Sequence, residues 1–573
     1  MCSGLGVRHL AVSTRALPLA TRLALAARRA GIWPIMMGVI ALFVALLVLT
    51  VLVQLFMPAG DVWSHLATTV LPRYLLNTAG LALGVGVGVL VIGVGSAWLV
   101  VMCRFPGQRI FEWALLLPLA VPTYVIAYAY TDFLQFAGPL QTLLRESFGW
   151  AAGDYWFPPV RSLGGAITLL TLVLYPYVYL LTRAAFLEQS VCVLEVGRTL
   201  GRGPWRLFGT IAIPLARPAI AGGTALALME TLNEFGAVQF FAVDTFTTGI
   251  YRTWFGLGER TAAAQLAGAL LVFVLLLLLL ERVSRGRSQY FHTSSRYREL
   301  PRYDLTGAKR WLAVVACALP VVLGFVIPAT LLAQMSWTGG DQRFGWAFLD
   351  YVFNSVSLAG IAALAAVGLA VVLSYGVRLS QSPMAVAAVR VSAMGYAIPG
   401  AVIAVGILIP LGWLDQRLYA LFSGGFGWEV GLILTGTGIA LVYAYLVRFL
   451  AVAYNAVQAS LTKVTPSMDA ASRTLGKTPG GTLRRVHAPI MRGSLLGAGI
   501  LVFVDVMKEL PATIILRPFD FTTLAVRSYE LASDERLSQS STAALSIVVV
   551  GVLPVILLSR AMQRSRPGSG DRG

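Results

Sequence analysis

Residues 198–217 read RTLGRGPWRLFGTIAIPLAR and residues 473–492 read RTLGKTPGGTLRRVHAPIMR, two basic, polar stretches in a chain that is otherwise overwhelmingly apolar. Each opens Arg-Thr-Leu-Gly, and each carries a proline 13 residues after that glycine and an arginine three residues further on: Gly201, Pro214, Arg217 and Gly476, Pro489, Arg492. Arg473 lies 275 residues after Arg198. The same separation holds for Pro204 and Pro479, Glu234 and Glu509, the Phe-Thr-Thr triplets at 246–248 and 521–523, and Arg252 and Arg527. Chance does not keep such a register, so the chain is a duplication. Upstream the separation is 268 for Tyr175/Tyr443 and Tyr177/Tyr445, and 277 for Asn77/Asn354, as short loop insertions produce.

Of the 573 residues, 57% are hydrophobic and 12% charged, and the mean hydropathy is +0.76. That much apolar surface cannot be hidden inside a water-soluble globule, so lipid is part of the solvent. The net charge of +18 is not that of a nucleic-acid binder, because Lys and Arg gather between the apolar runs rather than along one face. Twelve runs of about 20 residues, enough to cross the hydrocarbon, begin near Ile35, Asn77, Trp113, Leu163, Ile213, Ala262, Trp311, Asn354, Val391, Trp428, Ser494 and Thr542. The first is too long for a signal-peptide core and is read as a retained span.

With the N-terminus in the cytoplasm, the basic segments 104–109, 183–217, 282–310, 378–390, 448–492 and 560–572 all fall on that side. The expected organisation is a cytoplasmic tail (1–34), a first six-span repeat (35–281), a cytoplasmic linker (282–310), a second repeat (311–562) and a cytoplasmic tail (563–573). An even number of spans per repeat makes the repeats parallel, related by an axis along the membrane normal.

No catalytic constellation stands out. Gly476-Lys477-Thr478 ends like a phosphate-binding loop, but Ala471 stands where that pattern needs glycine and no soluble strand precedes it. In GVGVGVLVIGVG (84–95), Gly84 and Gly88 read as a small-residue packing face of a membrane helix. The cysteines Cys2, Cys103, Cys192 and Cys317 are dispersed, without metal-ligand or disulfide spacing. The glycine-to-proline spacing of the repeated loop predicts a helix, a glycine turn, a second short helix, and a proline opening the next span. Such a loop presents a rigid knob to a cytoplasmic partner, and two knobs imply a two-fold partner.

The stretches LEVGRTLGRGPWRLFGTIAIPLARPAI and MDAASRTLGKTPGGTLRRVHAPIMRGS resemble the EAA loops of permease subunits of bacterial ABC importers of the type I fold. In that family these loops form coupling helices that dock on ATPase subunits. The resemblance covers essentially the whole chain, and VFVDVMKELPATIILRPFDFTTLAVRSYELASDERL (502–537) is similar to the ferric-iron permeases in particular. The first copy has Glu195-Val196-Gly197 for EAA, the second Ala470-Ala471-Ser472 after Asp469, and His487-Ala488-Pro489 replaces the usual I-x-LP. The resemblance implies coupling roles for Glu195, Arg198, Gly201, Pro214, Arg217, Asp469, Arg473, Gly476, Pro489 and Arg492. It also implies a cytoplasmic ATPase dimer that hydrolyses the ATP, an external substrate-binding protein, no cofactor on this chain and a place in the bacterial inner membrane.

Ionisable groups inside a membrane are functional candidates by default. Glu230 and Glu234, and Asp505 and Glu509 at the same register, stand four residues apart, each pair expected on one helix face with Lys508 beside the second. Either they line a translocation path or gate, or they pair with Lys508, Asn233 and helix termini and brace the bundle, which is the commoner use of such groups. A secondary transporter or channel would use the same carboxylates but leaves the loop spacing unexplained, and a membrane-embedded enzyme has no motif in its favour. The resemblance of residues 502–537 to ferric-iron permeases implies ferric iron as the cargo, a hard cation for which the carboxylate oxygens are consistent partners; thiamine, stacking on Trp254, Tyr251 or Tyr529, is the alternative.

Overall fold

The computed structural model describes residues 33–58, 60–151, 153–187, 203–285, 302–342, 345–380, 382–426, 431–462 and 464–564. Nearly all of the two tails, most of the linker, and Glu195, Arg198 and Gly201 of the first loop lie outside the described residues.

The first half runs through α1 (Trp33–Gln54), α2 (Leu71–Met102), α3 (Gln108–Ala114), α4 (Thr123–Leu134), α5 (Leu163–Leu187), α6 (Trp205–Asn233), α7 (Gly236–Phe240) and α8 (Arg260–Arg285). The second runs through α9 (Ala308–Gly339), α10 (Trp346–Ser380), α11 (Pro383–Ala393), α12 (Gly400–Phe426), α13 (Ile439–Leu461), α14 (Pro466–Thr474), α15 (Pro479–Met507), α16 (Pro511–Leu516), α17 (Leu524–Ser533) and α18 (Leu537–Arg564). Eleven of the described helices are long and apolar enough to span a bilayer. Gln108–Ala120 with Thr123–Phe148, bent by 90°, makes the twelfth. The all-α membrane architecture in two repeats is therefore the one expected. Among the described residues the one strand pairing is a two-residue parallel match of Cys103-Arg104 with Tyr303-Asp304, which fastens the end of the linker beneath α2.

Glycine lets α2 and α5 pack closely. A Cβ on Gly84 would fall 2.6 Å from Ile167, and one on Gly88 2.5 Å from Thr171, so the small-residue face read from the sequence is a close helix–helix seam. Trp156, Trp337 and Trp346 stand exposed at one end of the spans, and Trp205 and Trp311 at the other, as interface anchors do.

Three expectations are corrected. The third span, and likewise the segment before α12, is broken. The tenth span starts at Ile439 rather than near Trp428, because Asp415 of α12 accepts hydrogen bonds from the N–H groups of Leu434 (2.8 Å) and Thr435 (2.7 Å) and holds that segment out of helix. Neither loop proline opens a separate span. Pro214 and Pro489 lie inside continuous helices, each just after a π-helical turn (Phe208–Ala212 and Leu483–His487). Proline removes an i→i−4 hydrogen bond and crowds the carbonyl it would have met, and the extra residue of a π turn absorbs the mismatch.

Candidate functional site

The breaks build the site. Val121 precedes Pro122 and Ile398 precedes Pro399, 277 residues later, and both are extended (φ −101°, ψ 127° and φ −82°, ψ 126°). The residue before a proline is driven out of the helical region by the ring. Each break follows a 3₁₀ turn, Leu117–Ala120 or Met394–Ala397. The chain then restarts at matching positions, Thr123 of α4 and Gly400 of α12.

Opposite these restarts, α6 ends at Asn233 and α15 at Met507, so Glu234 and Glu509 lie beyond their helices. The expectation that each carboxylate pair shares one helix face is thus corrected: Glu234 has ψ 130° and turns the chain away. The Glu234 carboxylate accepts from the Ala237 N–H (2.9 Å) and from the Thr123 hydroxyl. Glu509 accepts from the Ala512 N–H (2.9 Å), the Thr513 N–H (3.0 Å) and the Thr513 hydroxyl (2.5 Å). Each glutamate caps a short helix, α7 or α16, whose free N–H groups and dipole favour the anion. Gly400 is where α12 comes closest: a Cβ there would meet Glu509 at 2.8 Å and Arg448 at 3.0 Å.

Arg448 joins the halves. It lies nine residues into α13, about 14 Å along a helix rising 1.5 Å per residue, near the middle of the ~30 Å hydrocarbon layer. Its expected place at the start of a cytoplasmic basic segment is therefore wrong. Its guanidinium lies 3.3 Å from Glu230, donates to Asn233 Oδ1 (2.5 Å) and approaches Glu509 at 3.9 Å. Asn233 Oδ1 also accepts from the Gly400 N–H at 2.6 Å, so two residues of the first half are tied to two of the second. Lys508 pairs with Asp505 at 2.9 Å. These groups, with Thr123, Tyr124 and Tyr177, line a cavity of about 90 Å³, room for several water molecules. Among its charged groups, two cations face four carboxylates. The repeats differ here: Leu180 stands at the register of Arg448, and Asn233 at that of Lys508.

The second loop lies at the other end of α13 and α15. Pro466–Thr474 is a helix, Gly476 follows with φ +72°, and the chain re-enters helix at Pro479. A left-handed residue just past a helix end favours glycine, which has no Cβ to clash. Arg473, Leu475, Gly476, Lys477, Pro489 and Arg492 are exposed. Asp469 is half-buried, accepting from Arg378 Nε at 2.9 Å and His487 Nε2 at 2.7 Å. In the first copy, Pro214 and Arg217 are exposed.

Two matched broken helices in a duplicated chain, with a helical loop at the far end of the second copy, are the plan of a transport subunit. Residues 84–285 match the model of the "binding-protein-dependent transport system inner membrane component" family. The molybdenum transport system permease protein ModB of Escherichia coli (strain K12) is 31% identical over 206 residues, 34% of this chain and 87% of that protein. The chain belongs to this permease family. The permease is also 26% identical over 490 residues to the Fe(3+)-transport system permease protein FbpB 2 of Haemophilus influenzae, covering 85% of this chain and 89% of that one. A ferric transport system permease protein FbpB of Actinobacillus pleuropneumoniae is 23% identical over 462 residues, 77% of this chain and 64% of its own length. Permeases of this family are inner-membrane, multi-pass proteins, and their transport is powered by a separate ATPase and served by a substrate-binding protein.

The fold thus brings Glu230, Glu234, Asp505, Lys508 and Glu509 to one cavity, and leaves Asp469, Arg473 and Gly476 in the loop before α15, with Pro489 and Arg492 in the half of α15 nearer that loop. Reading the sequence for carboxylates missed Arg448, Thr123 and Tyr124 in the cavity and Arg378 at the loop. The signals were present: one arginine inside the apolar run 439–461, and two X-Pro dipeptides 277 residues apart.

Proposed function

We propose that the permease imports ferric iron handed to it by an external binding protein. The observation that carries this reading is the extent of similarity: a ferric-iron permease aligns along both repeats, whereas the molybdenum permease aligns with only 34% of the chain. Residues 502–537, the stretch resembling ferric-iron permeases, contain Asp505, Lys508 and Glu509 of the cavity.

In this reading the repeats 35–281 and 311–562 form one pore, and the linker 282–310 and the tails 1–34 and 563–573 are cytoplasmic, with the basic segments. An ATPase dimer docks on the two loops through Glu195, Arg198, Gly201, Pro214 and Arg217 and through Asp469, Arg473, Gly476, Pro489 and Arg492. ATP closes that dimer, the loops approach, and the halves rock about the seam where Arg448 meets Glu230 and Asn233. Glu230, Glu234, Asp505, Lys508 and Glu509 act there as a gate. Among the described residues no three His, Cys, Asp or Glu side chains come together as metal ligands, so the cavity is read as a closed gate on the path rather than a storage site. Iron is the cargo.

The test is uptake of labelled ferric iron and labelled thiamine by cells with and without the permease, each with its cognate binding protein. Loss of iron uptake alone is expected. Loss of thiamine uptake with iron unaffected would reverse the assignment. The geometry lends thiamine little support, since Tyr251 and Tyr529 already pack on Phe235 at 4.8 and 5.6 Å between ring centres.

A further inference from the structure

A second cavity, of about 660 Å³, opens at the end of the spans that carries the exposed Trp156. Its described walls are the end of α4, the helix Pro139–Phe148 and the segment 153–161 that leads into α5. Hydrogen bonds hold these walls in place. Arg145 donates to the Phe136 carbonyl (2.8 Å), the Tyr155 hydroxyl (3.1 Å) and the Thr142 hydroxyl (3.1 Å). Tyr155 donates to Gln141 Oε1, and Gln141 Nε2 to the Leu134 carbonyl, both at 2.7 Å. A preformed concavity of this size, largely apolar and aromatic with a few polar groups, is what a small organic ligand needs.

The polar groups on the lining select an anion. Arg161 is exposed at the rim, its guanidinium 5.0 Å from the centre of the Phe240 ring, and among the described residues no carboxylate pairs with it. No Asp or Glu stands among the described lining residues. The planar guanidinium fork suits a carboxylate or phosphate. Thr131 borders the cavity with a hydroxyl that is buried and has no hydrogen-bond partner among the described residues. Buried polar groups are nearly always bonded, so an unbonded one beside a cavity marks a place for a ligand oxygen.

We propose that this cavity is an effector site for an organic anion, whose carboxylate pairs with Arg161 and whose apolar or aromatic body lies against Phe136 and Phe157. The ligand comes from outside in the topology proposed above, and its effect rests on the reading of Glu234 as part of a gate. Two short routes join the cavity to that glutamate. α4 carries Thr131 and, two turns earlier, Thr123, which donates to Glu234. Arg161 covers Phe240, whose ring packs on Tyr128 at 4.7 Å, and Phe240 ends α7, the helix that Glu234 caps at Ala237. An anion that draws the guanidinium off the Phe240 ring frees the end of α7, so the ligand favours opening.

The experiment uses the permease with its ATPase in phosphatidylcholine nanodiscs, titrated calorimetrically with 2-naphthoate and with its neutral analogue 2-naphthamide against empty nanodiscs. One naphthoate per permease is expected. Arg161→Gln should weaken it about tenfold, the loss of a hydrogen-bonded charge partner, and Arg161→Lys should weaken it less. Naphthamide should bind the parent no better than naphthoate binds Arg161→Gln. In liposomes, naphthoate should raise iron uptake about two- to fivefold, the size of one exposed cation–π contact, and Arg161→Gln should show the raised rate without it. Absence of saturable binding, or binding indifferent to Arg161 and to the charge of the probe, overturns the site. Naphthoate binding lost when phosphatidylglycerol replaces phosphatidylcholine gives the cavity to a lipid phosphate and overturns a free effector. Binding with uptake unchanged overturns the effector role. If the parent imports no iron at all, the transport reading fails, and the calorimetric titration still decides the site.

Discussion

Arg448 of the second repeat and Glu230 of the first stand 3.3 Å apart near the middle of the membrane, with side chains 5% and 21% exposed. Asn233 and Gly400 complete the same knot. Separating the repeats at this level must break it, so its strength bears directly on the balance between closed and open forms.

Arg448→Leu, which installs the Leu180 of the first repeat, leaves Glu230 and Asn233 without their cation. Removing one partner of a buried ion pair costs about 3–5 kcal/mol. The thermal midpoint of the purified permease should fall clearly, and Glu230→Gln in the same chain should restore part of the loss. A single variant that melts like the parent would exclude Arg448 as a latch.

The glutamates are distinguished by their caps. Glu509→Gln keeps a side-chain oxygen for the Ala512 and Thr513 N–H groups, whereas Glu509→Ala leaves both open, and losing a cap costs about 0.5–2 kcal/mol. The alanine variant should be the less stable in denaturation of the purified protein, and Glu234→Ala should behave likewise. If both glutamates were held only as cargo ligands, either replacement would lower transport with no change in melting.

These two predictions mark where the sequence was legible and where it was not. Spans and duplication were readable because apolar length and a constant separation survive without any contact information. Gly476 was readable as a turn because its conformation is a local property. Arg448 was not, since its partners lie 215 and 218 residues away and a lone arginine after an apolar run also suits a span end. The end of α6 at Asn233 was hidden for a similar reason: nothing local stops that helix, and Glu234 turns out of it to meet Thr123 from another element. The π turns before Pro214 and Pro489 had a local cue in the prolines, but the sequence does not say whether a helix breaks or bulges there.

Gly476→Val should impair docking without impairing insertion. A branched residue at φ +72° costs about 1–2 kcal/mol, and the loop must move to relieve it. Membrane levels should stay normal while co-purified ATPase and transport fall. Full retention of a functioning ATPase would remove the loop from the docking surface.

Orientation is testable with single cysteines in a chain whose native cysteines are replaced. Of those native residues, Cys103 would contribute little labelling in any case, because burial pushes its thiol up to about 11. A cysteine at the exposed Trp156 should react with an impermeant reagent in intact spheroplasts, and one at the exposed Leu475 only after permeabilisation. The reverse pattern would invert the topology.

The most direct test of the central claim is uptake into liposomes holding the purified permease with its ATPase, with iron-loaded binding protein on one side and ATP on the other. The account predicts that labelled ferric iron accumulates only when ATP is present on the face of the Gly476 loop, and that an ion gradient cannot replace it. Iron uptake driven by a proton or sodium gradient without ATP would contradict it.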